Sequence, residues 1–229
     1  MSTQTFQVGF LVFPGLTQLD MTGPYEVLNR MPGCEVVLVW KSTDPVRTEH
    51  GLTISPVVDF AGCPPLDLLC IPGGFGVNAL LDDQAVLDFV REHAERARYV
   101  TSVCTGSLVL GVAGLFVGRR ATSHWMSREY LKAFGATPVD ERVVVDGKLI
   151  TGGGVTAGID FGLTVVAEVA GEGIAREIQL AIEYDPAPPF ESGSPRSAAN
   201  SLVNGLKEKW GPKQEERRAL VMQAAQALD

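Results

Sequence analysis

The chain has 229 residues, 45% hydrophobic and 20% charged, which suits one large domain, or one domain plus a tail, with a sizeable buried core. A formal net charge of −8 with no compensating basic block argues against a nucleic-acid partner. The cysteines Cys34, Cys63, Cys70 and Cys104 lack zinc-like C-x-x-C spacing, and a chain this long needs no disulfide staples, so neither metal nor disulfide framework is expected.

The N-terminal MSTQTFQVGFLVFP has no basic region and only a short apolar run, unlike a signal peptide. The later stretch SLVLGVAGLFVG is too short to span a bilayer. Both point to a cytoplasmic protein without membrane contact.

Gln7–Phe13 reads as a buried strand ended by Pro14 and Gly15. A loop, LTQLDMT, then leads to a predicted helix over Gly23–Arg30, with Thr22 as cap and Pro24 in its first turn. Glu35–Trp40 and Leu66–Ile71 read as strands, the second stopped by Pro72, Gly73 and Gly74. Helical spacing of Val86, Leu87, Val90 and Ala94 marks Gln84–Arg98, and Tyr99–Val103 is the next strand. A helix follows Cys104. Ala121–His124 is extended, and Val143–Leu149 forms a hairpin turning at Asp146–Gly147. GGGVTAG opens a helix through Ala170, capped by Thr156.

Strands alternating with helices predict a mostly parallel sheet covered on both faces, with ligands bound beyond the strands' carboxyl ends. Residues 1–184 form this α/β domain. Residues 185–229 are a proline-rich connector and a helix-prone tail, broken near Gly211–Pro212. The stripe Leu202, Val203, Leu206 and Trp210 suggests that the tail docks on the domain or on a partner subunit.

The chemistry centres on YVTSVCTGSLVLG. A strand runs into Cys104 and a helix starts at Thr105–Gly106, which is the logic of a nucleophile elbow. The helix start supplies N–H groups and positive potential that favour a thiolate. By local pattern alone, Cys104 reads equally as a small buried residue. Cys34, Cys63 and Cys70 have no such setting. In IPGGFG, the backbone at Gly73 and Gly74 is placed to bind developing negative charge. GGFGVNA matches the dinucleotide-binding pattern, but no acidic residue closes a following strand about twenty positions on, so no nicotinamide is expected. Asp20 lies in the loop after the first strand, at the correct sheet edge for a site. His124, in ATSHW, is either a base or site wall or a packed histidine.

These residues give the chain a specific resemblance to the ThiJ/PfpI superfamily of glutamine-amidotransferase-like proteins, and within it to the branch that hydrates isonitriles. The matching segments are GFLVFPGLTQLDMTGPYEVL, CPPLDLLCIPGG, ARYVTSVCTGSLVLGVAGL, RRATSHW, ERVVVDGKLITGGGVTAGIDF and IQLAIEYDPAPPF. The resemblance implies a flavodoxin-like three-layer sandwich, a homodimer, Cys104 as nucleophile, Asp20 as catalytic carboxylate and Thr105 as a required neighbour. It also implies an isonitrile and water as substrates, with no cofactor or metal. In that reaction Asp20 would activate water, Thr105 would orient the water or the carboxylate, and Val155 and Trp125 would shape the pocket. PfpI-like proteases place histidine directly after the cysteine, where this chain has Thr105. Glyoxalase and deglycase relatives carry glutamate where Asp20 stands, and a cysteine-based redox sensor or chaperone is the remaining alternative. Regulators sharing the CTG and SHW signatures continue into a helix-turn-helix module, for which the residues after Tyr184 are too few and too weakly basic.

Overall fold

The computed structural model describes residues 5–228. Its centre is a seven-stranded sheet: β1 (Phe6–Leu11), β2 (Cys34–Trp40), β3 (Val58–Asp59), β4 (Leu68–Ile71), β5 (Tyr99–Val103), β6 (Val143–Asp146) and β7 (Leu149–Gly152), in the order β6-β7-β5-β4-β1-β2-β3. Only β6–β7 is antiparallel, the hairpin turning at Asp146–Gly147 as expected. The central strands β4, β5 and β7 are almost wholly buried, which is why they read as continuous apolar runs rather than alternating ones. Helices α1 (Gln18–Leu28), α4 (Ala157–Ala170) and α5 (Glu172–Ala181) pack as one group. A second group comprises α2 (Gln84–Arg96), α3 (Gly106–Val112) and the long α6 (Asn200–Gln226). This is the expected flavodoxin-like three-layer α/β sandwich.

The chain leaves β1 outward to β2 and β3, then returns across the sheet to β4 and β5. The order therefore reverses between β1 and β4. A crevice opens there beyond the strand ends, and the segments after β1, β4, β5 and β7 meet in it. Thr17 N–H donates to the Gly73 carbonyl at 2.9 Å, which straps the segment after β1 to the one after β4.

Two helices differ from the sequence reading. Helix α1 begins at Gln18, not Gly23, so Asp20 is in a helical first turn rather than a loop, and Thr22 caps nothing. Pro24 sits inside α1, where it removes only one hydrogen-bond donor, a loss that burial of Met21, Val27 and Leu28 outweighs. Helix α6 runs unbroken through Gly211–Pro212. Thr156 stands at the N-cap of α4 but makes no capping bond; its hydroxyl accepts from Arg142 instead. Of the tail stripe, Trp210 meets the body, whereas Leu202 and Leu206 stay exposed. The body contacts come later in α6, through buried Arg217 and Val221. Among the described residues no helix is long and apolar enough to cross a membrane.

Candidate active site

Cys104 ends β5 and precedes α3 with φ of +57°, a left-handed conformation rare for a residue with a side chain. Two backbone restraints hold it there. Its N–H is shared between the carbonyls of Gly152 (3.0 Å) and Gly153 (2.9 Å). The start of α3 also lies so close to β4 that a Cβ on Gly106 would come within 2.0 Å of the Ile71 carbonyl oxygen. The turn is a nucleophile elbow, and strain of this kind concentrates at functional positions.

Asp20 reaches the same point from α1. The carboxyl is fully buried, and Oδ2 accepts from the Gly73 N–H at 3.0 Å. Oδ1 has no hydrogen-bond partner at normal geometry. Burial drives this carboxyl up to about 7, against the opposing pull of the Cys104 thiol and the Gly73 amide, with Glu49 adding a smaller upward push. For Cys104, burial and then the neighbouring Asp20 push the thiol well above the ordinary range, opposed by the amides of Thr105 and Val155. The expected thiolate-favouring helix start is therefore outweighed, because α3 is short and the cysteine is sealed against a carboxyl. Thiol and carboxyl form a coupled pair in which the first ionisation discourages the second.

The glycine amides do not do what the sequence suggested. The Gly73 N–H serves Asp20, and the Gly74 N–H donates to Thr105 Oγ1 at 3.0 Å. Thr105 Oγ1 in turn donates to the Gly74 carbonyl at 3.2 Å. The Thr105 hydroxyl proton is thus committed to the Gly74 carbonyl, and the pair of bonds ties the loop after β4 to the elbow. The donors that face the sulfur are the Thr105 and Val155 amides. Val155 contributes its backbone as well as an apolar wall, from a φ of +23° just before α4.

Above the sulfur lies a cavity of about 180 Å³, lined by Cys104, Thr105, Gly74, Val155 and His124 of the sequence-predicted set. Burial and then the charge of Arg217 push His124 down to about 4, so it is a neutral wall near pH 7. Trp125 does not line this cavity; it faces the neighbouring depression beside Arg128. Asp20 does not line it either, lying behind the cysteine. Burial pushes the other thiols up too, Cys34 and Cys63 to about 11 and Cys70 to about 12, and what sets Cys104 apart is that it alone of the four lines this cavity. Among the described residues no cluster of His, Cys, Asp and Glu is placed to hold a metal ion.

The DJ-1/PfpI family matches residues 6–168, the stretch that carries every element meeting at Cys104. The chain belongs to the DJ-1/PfpI family. Among relatives of this DJ-1/PfpI protein, isonitrile hydratase from Pseudomonas putida is 51% identical over 223 residues, 97% of this chain and 98% of that one. A crystal structure of a ThiJ/PfpI family protein from Pseudomonas syringae superposes with a TM-score of 0.92 at 43% identity, covering 95% of this chain and 90% of that one. The glutathione-independent glyoxalase DJR-1.2 of Caenorhabditis elegans is 26% identical over 141 residues, 61% of this chain and 75% of that one.

The far wall of the cavity comes from outside the stretch matched by the DJ-1/PfpI family. Trp210, Gln214 and Arg217 of α6 close it, opposite Glu49 and His50 from the loop after β2. The Trp210 ring meets Phe75 edge-on at 6.1 Å, and the Tyr130 hydroxyl donates to the Gln214 carbonyl at 3.1 Å. None of these was singled out from sequence as a site residue. The available signal was the tryptophan Trp210, which the sequence places on the apolar stripe of the tail helix.

Proposed function

We propose that this protein is an isonitrile hydratase, converting R–NC and water into the formamide R–NH–CHO with Cys104 as nucleophile. The observation that carries the reading is the pairing of Cys104, on a strained elbow at the floor of a small cavity, with the buried carboxyl of Asp20 directly behind it. Likeness to the Pseudomonas putida enzyme over nearly the whole chain supports the choice of substrate.

The sulfur attacks the terminal carbon of the isonitrile while the proton held by the thiol–carboxyl pair goes to that carbon. A C–S and a C–H bond form, giving the thioimidate R–N=CH–S. Water then adds to the same carbon, with one of its protons passing to nitrogen. The hydroxyl of the resulting adduct loses its proton as the C–S bond breaks, which releases R–NH–CHO and restores the thiol. Nothing is oxidised or reduced overall. The covalent route splits one hard hydration into easier steps. Asp20 serves through the sulfur rather than on water in the cavity, because it lies behind Cys104 and does not line the cavity. Acid–base help of this type is worth ~10²–10⁴-fold. Water arrives from the cavity side, where the Glu49 carboxylate and neutral His124 face it.

The reading extends to organisation. Residues 1–184 are the α/β domain and 185–229 a tail whose helix walls the cavity. The protein works as a cytoplasmic homodimer, and exposed Leu202 and Leu206 offer apolar surface for the partner.

The direct test is incubation with a simple alkyl or aryl isonitrile, with formamide followed by mass spectrometry and methylglyoxal run in parallel. Formamide above the protein-free control is expected. Its absence, or turnover of the oxoaldehyde alone, overturns the assignment.

A further inference from the structure

Arg217 is a buried cation with no ion pair at contact distance; Glu49 and Glu216 act on it only from farther off. It is 3% exposed, and its donors go to neutral acceptors: Nε to Asn78 Oδ1 (2.8 Å), one terminal nitrogen to Ser127 Oγ (3.3 Å) and the other to the Gly74 carbonyl (3.0 Å). Among the described residues no carboxylate forms an ion pair with it, although surface arginines across the molecule have them. A buried charge without a counter-ion is costly and persists where something else makes use of it.

What it faces is the cysteine. Arg217 lines the same cavity as Cys104, and its hydrogen-bond acceptor, the Gly74 carbonyl, is also held by Thr105, the residue after the nucleophile. The other ionisable groups around the sulfur are Asp20 from α1, Glu49 and His50 from the loop after β2, and His124. Glu49 and an ionised Asp20 oppose a negative sulfur, and His124 is neutral. Burial lowers the guanidinium, and the first group that restores it is Cys104. Burial and Asp20 dominate the thiol's own shift, and a fixed positive charge on the wall of the same cavity acts against both by favouring the thiolate.

We propose that Arg217 is the electrostatic counterpart of the negative charge that develops on Cys104, so that α6 completes the active site rather than merely covering it. The guanidinium acts as a positioning group. Its three hydrogen bonds fix a positive charge on the wall of the cavity before reaction, and a charge held in place stabilises an anion more than one that must reorganise. This inference rests on Cys104 as nucleophile and not on the identity of the substrate.

The test uses the full-length protein and iodoacetamide, with alkylation of Cys104 followed by peptide mass spectrometry from neutral to alkaline pH. The sulfur displaces iodide only as the thiolate, so the rate reports its ionisation. Arg217→Gln is expected to slow alkylation at neutral pH by about tenfold and to move its profile about one unit upward. Arg217→Lys, which keeps the charge but not the fork of hydrogen bonds, is expected to recover most of that shift. Met222→Ala, on the exposed face of α6 and away from the cavity, is the packing control and is expected to stay near wild type. A folded Arg217→Gln variant with the wild-type profile overturns the proposal. So does an Arg217→Lys variant whose profile moves upward by a full unit, a result that stands whether or not the glutamine variant folds. If these shifts appear but no isonitrile is hydrated, the electrostatic role stands and the substrate assignment falls.

Discussion

Asp20 Oδ2 and the Cβ of Cys104 converge on one empty point, 2.7 Å and 2.8 Å from where a Cβ on Gly73 would sit. A third atom, the Thr105 backbone nitrogen, lies 2.6 Å from it. Two of these neighbours belong to restrained backbone or to the elbow itself and cannot withdraw cheaply. Gly73→Ala therefore wedges the carboxyl away from the thiol. A misplacement of about 1 Å at reacting groups costs ~10²-fold, and overpacking costs ~1–3 kcal/mol. Turnover should fall by about that factor while the protein still folds. Kinetics with a thermal melt checks this, and wild-type turnover would show that the observed pairing is not the working one.

Asp20→Asn removes the titrating member of the pair while keeping an oxygen for the Gly73 amide. With the carboxyl at about 7, wild-type kcat/KM should rise as pH climbs through neutrality, and the asparagine variant should lose both activity and that limb. Stability follows the same group. Its native pKa is raised above 3.8, so its contribution is fully present below about pH 4 and is lost as pH rises through about 7. The asparagine variant should accordingly gain stability relative to wild type above neutrality, on the order of a few kcal/mol. Urea unfolding at acid and at slightly alkaline pH measures it, and parallel curves would contradict a raised carboxyl.

At Cys104 chemistry and backbone strain can be separated. Cys104→Ala and Cys104→Ser should both fold and both lose turnover, the serine because its hydroxyl is far less acidic than a thiol. Cys104→Gly should be equally inactive yet more stable than the alanine variant by about 1 kcal/mol, since glycine accepts a φ of +57° without penalty. Near wild-type turnover in the alanine or glycine variant would rule out covalent catalysis by this residue, and equal melting temperatures for glycine and alanine would rule out strain.

Ending the chain at Tyr184 removes the wall formed by Trp210, Gln214 and Arg217 and uncovers Phe75. The shortened protein should lose turnover and thermal stability, and light scattering should show a shift toward monomer as the apolar surface of α6 disappears. A shortened protein with full activity would place the working site wholly within the first 184 residues.

The positions of β1, β2, β4 and β5, the elbow at Cys104 and the turn at Asp146–Gly147 were legible in the sequence because each depends on residues next to one another, whereas the two-residue edge strand β3 was not. An apolar run stopped by Pro72, Gly73 and Gly74, or a strand passing into Thr105–Gly106, carries its own geometry. Helix starts were less legible. Pro24 signals a first turn locally, yet α1 begins five residues earlier than the predicted helix, because packing of its apolar face overrides one missing hydrogen bond. Pro212 signals a break in the same way, and α6 passes through it.

The sequence by itself set Cys104, at a strand-to-helix turn, apart from the other three thiols, and placed it at one edge of the sheet. Tertiary structure alone decided that Asp20 lies behind the sulfur rather than in the cavity, that the glycine amides are already occupied, and that the thiol rests protonated. It also brought Arg217 to the carbonyl of Gly74, 143 positions earlier in the chain. Burial, field and hydrogen-bond occupancy are properties of groups that meet only after the chain has crossed the sheet and returned, and no local pattern encodes them.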